Sequence, residues 1–108
     1  MSWRRIYRAN VLREKYGAVG KVAARYVLAG FSVRVEDNLI YVKGNGMNAV
    51  LGVVSNEKGL NSMINELSRI KERLGTKAIL VLYGNRKWSD DLIKKIKDKG
   101  LDVRFIRE

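Results

Sequence analysis

The sequence predicts a single α/β domain over residues 1–108, with a mixed β-sheet flanked by helices in the order α-β-β-β-α-β-α-β. Three observations predict this fold class. Apolar residues make up 46% of the 108 residues, which is enough for one packed core. Apolar positions recur every three or four residues in three segments and form short runs in five others. Glycines and Asn/Asp clusters separate these segments, and the chain has no proline.

The first helix is predicted from Arg4 to about Ala29. Its apolar positions recur at helical spacing and are Leu12, Tyr16, Val19, Ala23 and Tyr26. Gly17 and Gly20 leave open whether this segment is one helix or two. Gly30 is expected to end it as a left-handed residue.

Three strands are predicted to follow, at residues 31–35, 39–43 and 48–55. Residues 36–38 and 44–46 have the composition of tight turns. Two consecutive antiparallel hairpins are therefore expected.

The second helix carries the most regular apolar stripe in the chain, formed by Leu60, Met63, Ile64, Leu67, Ile70 and Leu74. Gly75 is expected to end this helix. The continuous apolar run at residues 78–83 predicts a strand that is covered on both faces. The helical crossover between the third and fourth strands predicts that these two strands are parallel.

A third helix is predicted after Ser89, which is a favourable N-cap, and Gly100 is expected to close it. Its buried face is predicted to contain Leu92, Ile93 and Ile96, and its solvated face Lys94, Lys95, Lys97 and Lys99. The last strand is predicted at residues 101–107, with the alternating apolar residues Leu101, Val103, Phe105 and Ile106.

The charge balance indicates the class of partner. Lys and Arg number 22 against 11 acidic residues, which gives a net charge of +11 and a pI near 10.2. Such an excess of cations is typical of proteins that bind polyanions. The alternative is a solvated, lysine-rich surface of the kind that thermophilic proteins carry.

Missing residue types exclude several chemistries. Without cysteine, the chain cannot form disulfides or thiolate metal sites. Without histidine, it cannot use a serine–histidine or cysteine–histidine nucleophile. No apolar run approaches a membrane span, and the N-terminus lacks the apolar segment of a secretory signal, so a cytoplasmic protein without a membrane partner is expected.

Three segments resemble a known family. Residues 22–35 are similar to the end of the first helix, a Gly-Phe pair and the first strand of archaeal Holliday junction resolvases, which have the restriction-endonuclease-like PD-(D/E)XK fold. Residues 37–45 and 77–84 are similar to that family's second strand and to the strand after its second helix. The resemblance spans roughly residues 15–84 and implies a nuclease-like fold. The absence of Cys, His, Gln and Pro also hints at a thermophilic source.

The chemistry of that family needs clustered carboxylates and a lysine around Mg²⁺, carried partly by a Glu-x-Lys motif in the third strand. Here the Glu position falls near Val53 and the Lys position near Ser55, while a first-helix Glu would fall near Val19 or Gly20. Only Asp37 matches. The resemblance therefore implies a lost catalytic site, and we predict no bound metal or cofactor.

An active Mg²⁺-dependent nuclease remains the alternative, with Asp37, Glu57 and Lys58 as its candidate catalytic residues. Each carboxylate also has a simpler interpretation, which we favour. Asp37 lies in a predicted turn. Glu57 precedes a helix whose dipole favours an acidic residue there.

The predicted nucleic-acid-binding residues fall mainly in the first 25 positions. They are Arg4, Arg5, Arg8, Arg13, Lys15, Lys21 and Arg25, opposed only by Glu14. Arginine pairs bidentately with phosphate, and interleaved aromatic rings can stack on unpaired bases. Tyr16 and Tyr26 are expected in the core, whereas Trp3 and Tyr7 are equally compatible with the core and with a binding surface.

A second predicted group is Arg86, Lys87 and Trp88, in the loop after the apolar fourth strand. Open α/β sheets tend to bind ligands at the carboxyl ends of their strands. An exposed Trp88 beside two cations is expected to contact a base and a phosphate.

The sequence thus predicts a nucleic-acid-binding protein that uses mainly phosphate contacts, and the resemblance favours DNA over RNA. Two alternatives stay open: the active junction-cleaving nuclease, and a basic accessory subunit of a larger protein or ribonucleoprotein complex. A homodimer or a partner protein is compatible with the proposed binding role.

Overall fold

The computed structural model describes residues 3–84 and 87–107. Within them lie α1 (Trp3–Leu28), β1 (Ser32–Glu36), β2 (Leu39–Gly44), β3 (Met47–Val54), a 3₁₀ turn (Glu57–Gly59), α2 (Leu60–Leu74), β4 (Lys77–Tyr83), α3 (Asp90–Asp98) and β5 (Asp102–Ile106). The strands form a five-stranded mixed sheet in the order β1-β2-β3-β4-β5. The predicted α/β class and element order are confirmed. The chain forms two compact units, one ending at Asn48 and one beginning at Ala49.

In the first unit, α1 consists of two helical segments that meet at Gly17. The φ of 57° and the ψ of −126° at Gly17 are not helical, and residues other than glycine rarely adopt this backbone conformation. Gly20 then lies directly against the backbone of Leu12, where an ideal Cβ would be 1.8 Å from the carbonyl oxygen. The helix therefore bends sharply at Gly17, and the second segment packs closely on the first.

The end of α1 is a Schellman motif. Gly30 has a φ of 98°, and its N–H donates to the carbonyl of Val27 at 3.0 Å. The N–H of Phe31 donates to the carbonyl of Tyr26 at 3.0 Å, and the two rings pack edge to face with centroids 5.8 Å apart. The motif satisfies carbonyls that the helix leaves unpaired and confirms the predicted end at Gly30.

The hairpin of β1 and β2 provides the surface on which α1 packs. The two strands are antiparallel, with Val33 opposite Val42 and Val35 opposite Ile40. Val33, Ile40 and Val42 are buried. The first predicted hairpin is confirmed, with Asp37 in its turn at a φ of 56°.

The second unit is built around parallel pairs of strands. β3 pairs in parallel with β4, and β4 pairs in parallel with β5. All residues of β4 from Ala78 to Leu82 are buried, which confirms a strand covered on both faces. Gly52 of β3 lies against Met63 of α2, where an ideal Cβ would be 2.4 Å from Sδ, so the absent side chain lets helix and strand approach closely.

Helix α2 begins and ends where its apolar stripe does, and five members of that stripe are buried. Leu74 is the exception, because it is 50% exposed. It occupies the last position before Gly75, whose left-handed conformation turns the chain away. The last member of the apolar stripe therefore lies at the surface and not in the core.

Helix α3 begins at its predicted cap, where the N–H of Leu92 donates to Ser89 Oγ at 3.3 Å. Ile96 is fully buried, Leu92 and Ile93 are half-buried, and the four lysines are exposed. In β5, Ile106 is buried, Val103 is half-buried and Phe105 is 50% exposed. Neighbouring residues of a strand point to opposite faces, so Phe105 and Ile106 lie on opposite faces of β5.

Candidate nucleic-acid interface

The first segment of α1 carries three rows of side chains. Residues spaced by four, three and four positions share one face of a helix. The inner row contains Arg5, Ala9, Leu12 and Tyr16; Ala9 and Leu12 are buried and Tyr16 is half-buried. On the opposite face lies the outer row, formed by Trp3, Tyr7, Asn10 and Glu14, all of which are exposed. Beside the outer row lies the cationic row, formed by Arg4, Arg8, Val11 and Lys15, which are also exposed.

The outer row presents two large aromatic side chains to solvent. Trp3 is 79% exposed and Tyr7 is 63% exposed, and their ring centroids are 6.4 Å apart with an angle of 31° between the planes. Ile6 and Val11 are exposed on either side of them. This apolar exposure resolves the alternatives for Trp3 and Tyr7 in favour of a surface position.

The cationic row is partly held in place by the rest of its unit. A guanidinium N–H of Arg8 donates to the carbonyl of Val33 in β1, which uses one of its five donors. The ammonium of Lys15 lies 5.3 Å from the centroid of the Tyr16 ring, within cation–π range. Arg8 therefore both fixes α1 on the hairpin and keeps donors for an anion.

The remaining predicted cations of α1 lie in the same unit. Arg13 donates to Asn10 Oδ1 at 3.1 Å, and the guanidinium of Arg5 lies beside Gly30. Lys21 and Arg25 are exposed on the second segment, one helical turn apart. All seven predicted residues thus lie on α1, where Arg4, Arg8 and Lys15 share the cationic row and the other four lie on other faces or on the second segment.

Six of the seven cations of α1 have no carboxylate partner among the described residues. Among residues 3–84 and 87–107, no carboxylate forms an ion pair with Arg4, Arg5, Arg8, Arg13, Lys15 or Lys21. The ion pairs that the structure does contain include Arg34–Glu36 at 3.2 Å and Lys77–Asp102 at 3.4 Å, both outside α1. With seven basic residues and one acidic residue, α1 therefore presents a net charge of +6.

The second predicted group does not form the expected surface. Trp88 is only 6% exposed, so the prediction that its ring stacks on a base was wrong. Burying a large ring is strongly favourable, and Trp88 stands between the buried strand β4 and the cap of α3, close to the core. Lys87 is exposed, whereas Arg86 lies outside the described residues.

The candidate catalytic residues occupy ordinary structural positions. Asp37 is an exposed turn residue. Glu57 and Lys58 are exposed in the 3₁₀ turn, where Asn56 Oδ1 accepts the N–H of Lys58 at 2.9 Å. Within residues 3–84 and 87–107, no group of three or more acidic side chains is placed to hold a metal ion.

The positions that correspond to the family's catalytic motif hold no acid in this chain. Val53 is half-buried and Ser55 is exposed. Gly20, near the position of the first-helix Glu, has no room for any side chain, because the Leu12 carbonyl fills the space.

The signal for the outer row was present in the sequence. Trp3 and Tyr7 share their helical face with Asn10 and Glu14, and that polarity indicates an exposed face.

The described helices do not include one that is long and apolar enough to cross a membrane. No protein-family model, curated protein or solved structure matches the chain.

Proposed function

We propose that this protein binds nucleic acid through α1, mainly by contacts to phosphates, and that it does not cleave what it binds. The observation that carries the proposal is the set of cations on α1 that no described carboxylate neutralises. The resemblance to junction resolvases favours DNA over RNA as the natural ligand.

The physical basis is the exchange of condensed counterions for protein cations. A nucleic acid releases bound cations when Lys and Arg neutralise its phosphates, so affinity falls steeply as salt rises. Guanidinium groups also match two phosphate oxygens at once. Arg4 and Arg13, exposed on the first segment, are free to do this without disturbing the helix-to-hairpin packing.

The order of elements supports a nuclease-like scaffold. One helix, three strands, a helix and a strand follow each other as in restriction-endonuclease-like proteins, and β3 and β4 are parallel. The missing Glu-x-Lys pair in β3 supports a scaffold that binds without cutting.

The test compares two triple variants that remove the same charge. R4Q/K15Q/K21Q removes three exposed cations from α1, and the control K94Q/K97Q/K99Q removes three exposed cations from α3 and its end. Binding to duplex and single-stranded DNA and RNA is measured by fluorescence anisotropy at about 50 mM and about 200 mM salt. The α1 variant should lower the slope of log affinity against log salt by about 2 to 3, since each lost phosphate contact contributes 0.7 to 0.9.

The control should keep most of the affinity of the unaltered protein. If both variants weaken binding equally, α1 is not the interface and the charge acts only as a diffuse field. If the unaltered protein binds no nucleic acid at about 50 mM salt, the proposal fails and a protein partner is favoured instead. Cleavage of junction or plasmid DNA with Mg²⁺ or Mn²⁺ that D37A abolishes would restore the nuclease interpretation.

A further inference from the structure

We propose that the outer row of α1 selects unpaired, single-stranded nucleic acid, with bases stacked on Trp3 and Tyr7 and the backbone along the cationic row. This inference rests on the proposed function and adds the form of nucleic acid that the same helix takes. It depends on the spacing, exposure and neighbours of two aromatic rings.

The spacing of the rings does not fit a duplex. Trp3 and Tyr7 are four residues apart, which places them about 6 Å apart along the helix axis, and their centroids are 6.4 Å apart. Nucleotides of a duplex strand rise only about 3.4 Å each. A strand that lays consecutive bases on both rings must therefore be drawn out to about twice the duplex rise. Bases paired in a duplex are also covered on both faces, whereas unpaired bases can leave the stack.

The neighbouring row supplies the charge that such a strand requires. Arg4 follows Trp3 in the chain and Arg8 follows Tyr7, so each ring has a guanidinium on the adjacent row. Arg4 and Arg8 are also about 6 Å apart along the axis. Each ring and its neighbouring cation thus form one repeat that matches one nucleotide, with a base on the ring and a phosphate on the guanidinium. Single-strand-binding surfaces combine stacking rings and a cationic track in this way.

The composition of the outer row argues against a lipid surface as its occupant. An interfacial helix buries a long apolar face in the membrane. Here the outer row is aromatic only at Trp3 and Tyr7, about one turn apart, and continues into Asn10 and the carboxylate of Glu14, both exposed. A membrane would need an apolar face that continues past Val11 along the helix. A nucleic acid that contacts only the first two turns of α1 does not need one.

The experiment compares a short oligo(dT), which forms no internal pairs, with a duplex of equal length. We expect the unaltered protein to bind oligo(dT) several times more tightly than the duplex at equal salt. W3A/Y7A should weaken binding to oligo(dT) about 25-fold or more, because each ring contributes about fivefold or more per stacked base. Its affinity for the duplex should change less than about twofold, because the phosphate contacts remain.

Two variants serve as controls. W3F/Y7F keeps both rings and should retain most of the preference for oligo(dT). F105A removes an exposed aromatic side chain from β5, outside α1, and should change neither affinity. Circular dichroism of each variant checks that the helices are intact; since Trp3 and Tyr7 are exposed, their removal should not unfold the protein.

Tryptophan fluorescence gives a second readout. Trp3 is exposed and Trp88 is buried. Stacking should therefore quench the emission of Trp3 when oligo(dT) is added. The emission of the W3F variant, which comes from Trp88, should not change. Equal affinity for both ligands, or no effect of W3A/Y7A, would overturn the inference while leaving the proposed function intact. A dimer that W3A/Y7A dissociates, without loss of oligo(dT) binding, would assign the outer row to a second copy of the chain. Absence of binding to either ligand would instead overturn the proposed function.

Discussion

Gly20 shows how one missing side chain shapes the proposed interface. The bend at Gly17 turns the chain, and Gly20 then lies against the Leu12 carbonyl with no space for a Cβ. The contact is with backbone, which cannot move aside as a flexible side chain can. The close approach holds the two cationic segments of α1 together, so it links a packing constraint to the distribution of charge.

We predict that Gly20→Ala lowers the free energy of unfolding by about 2 kcal/mol or more, because the added methyl overpacks a buried contact. Urea unfolding followed by circular dichroism measures the change. Gly59→Ala is the matched control, since Gly59 has a φ of −97° and nothing within 4 Å of an ideal Cβ. An unchanged midpoint for Gly20→Ala would mean that the two segments of α1 do not pack as described.

Trp3 and Trp88 differ in how well the sequence predicts their exposure. Trp3 has helical neighbours at four and seven residues, and their polarity indicates its exposed face. Trp88 precedes a helix in a loop without periodic neighbours, so the sequence contains no comparable signal for its direction. Its burial, at 6% exposure, is a property of the folded chain that the composition of the loop does not encode.

At the scale of elements, periodicity predicted α2 and β4 well because burial alone determines their patterns. The apolar stripe of α2 gives both of its ends, and the continuous run of β4 gives its double coverage. Periodicity does not predict the position of the bend in α1, because Gly17 and Gly20 are both compatible with a break in the helix. Backbone conformation decides between them: Gly17 provides the bend and Gly20 the close contact.

Helix α3 should depend strongly on its cap. It is only nine residues long, and short helices gain little from propagation. Ser89 Oγ accepts the N–H of Leu92, and the acidic Asp90 and Asp91 complement the positive end of the helix dipole.

We predict that Ser89→Ala lowers the free energy of unfolding by about 1 kcal/mol, because a donor at the start of the helix loses its partner. Urea unfolding measures this loss, and hydrogen exchange should show faster exchange confined to the amides of α3. Ser62→Ala, an exposed substitution in the first turn of α2, should stay within about 0.5 kcal/mol of the unaltered protein. Equal effects of the two substitutions would show that the Ser89 cap does not stabilise α3.

At the scale of the whole chain, the charge excess is shared between the two units but arranged differently. α1 contributes +6 with a single carboxylate, whereas α3 intersperses its lysines with Asp90, Asp91 and Asp98. Within α3 the three lysines and the three aspartates cancel, so of these two helices only α1 carries a large net positive charge. The composition therefore indicates the proposed class of ligand, while the contacts of α1 favour it over the second basic group.

The absence of histidine leads to a prediction for the whole molecule. Histidine is the side chain whose charge ordinarily changes between pH 5 and 8, and this chain has none. The net charge of +11 should therefore stay constant from about pH 5.5 to about pH 7, and with it the phosphate-dependent part of the affinity. Anisotropy titrations with oligo(dT) at fixed ionic strength should give dissociation constants that agree within about twofold over this range. A change of more than about fivefold in the dissociation constant over this range would contradict the prediction that the charge of the interface is constant.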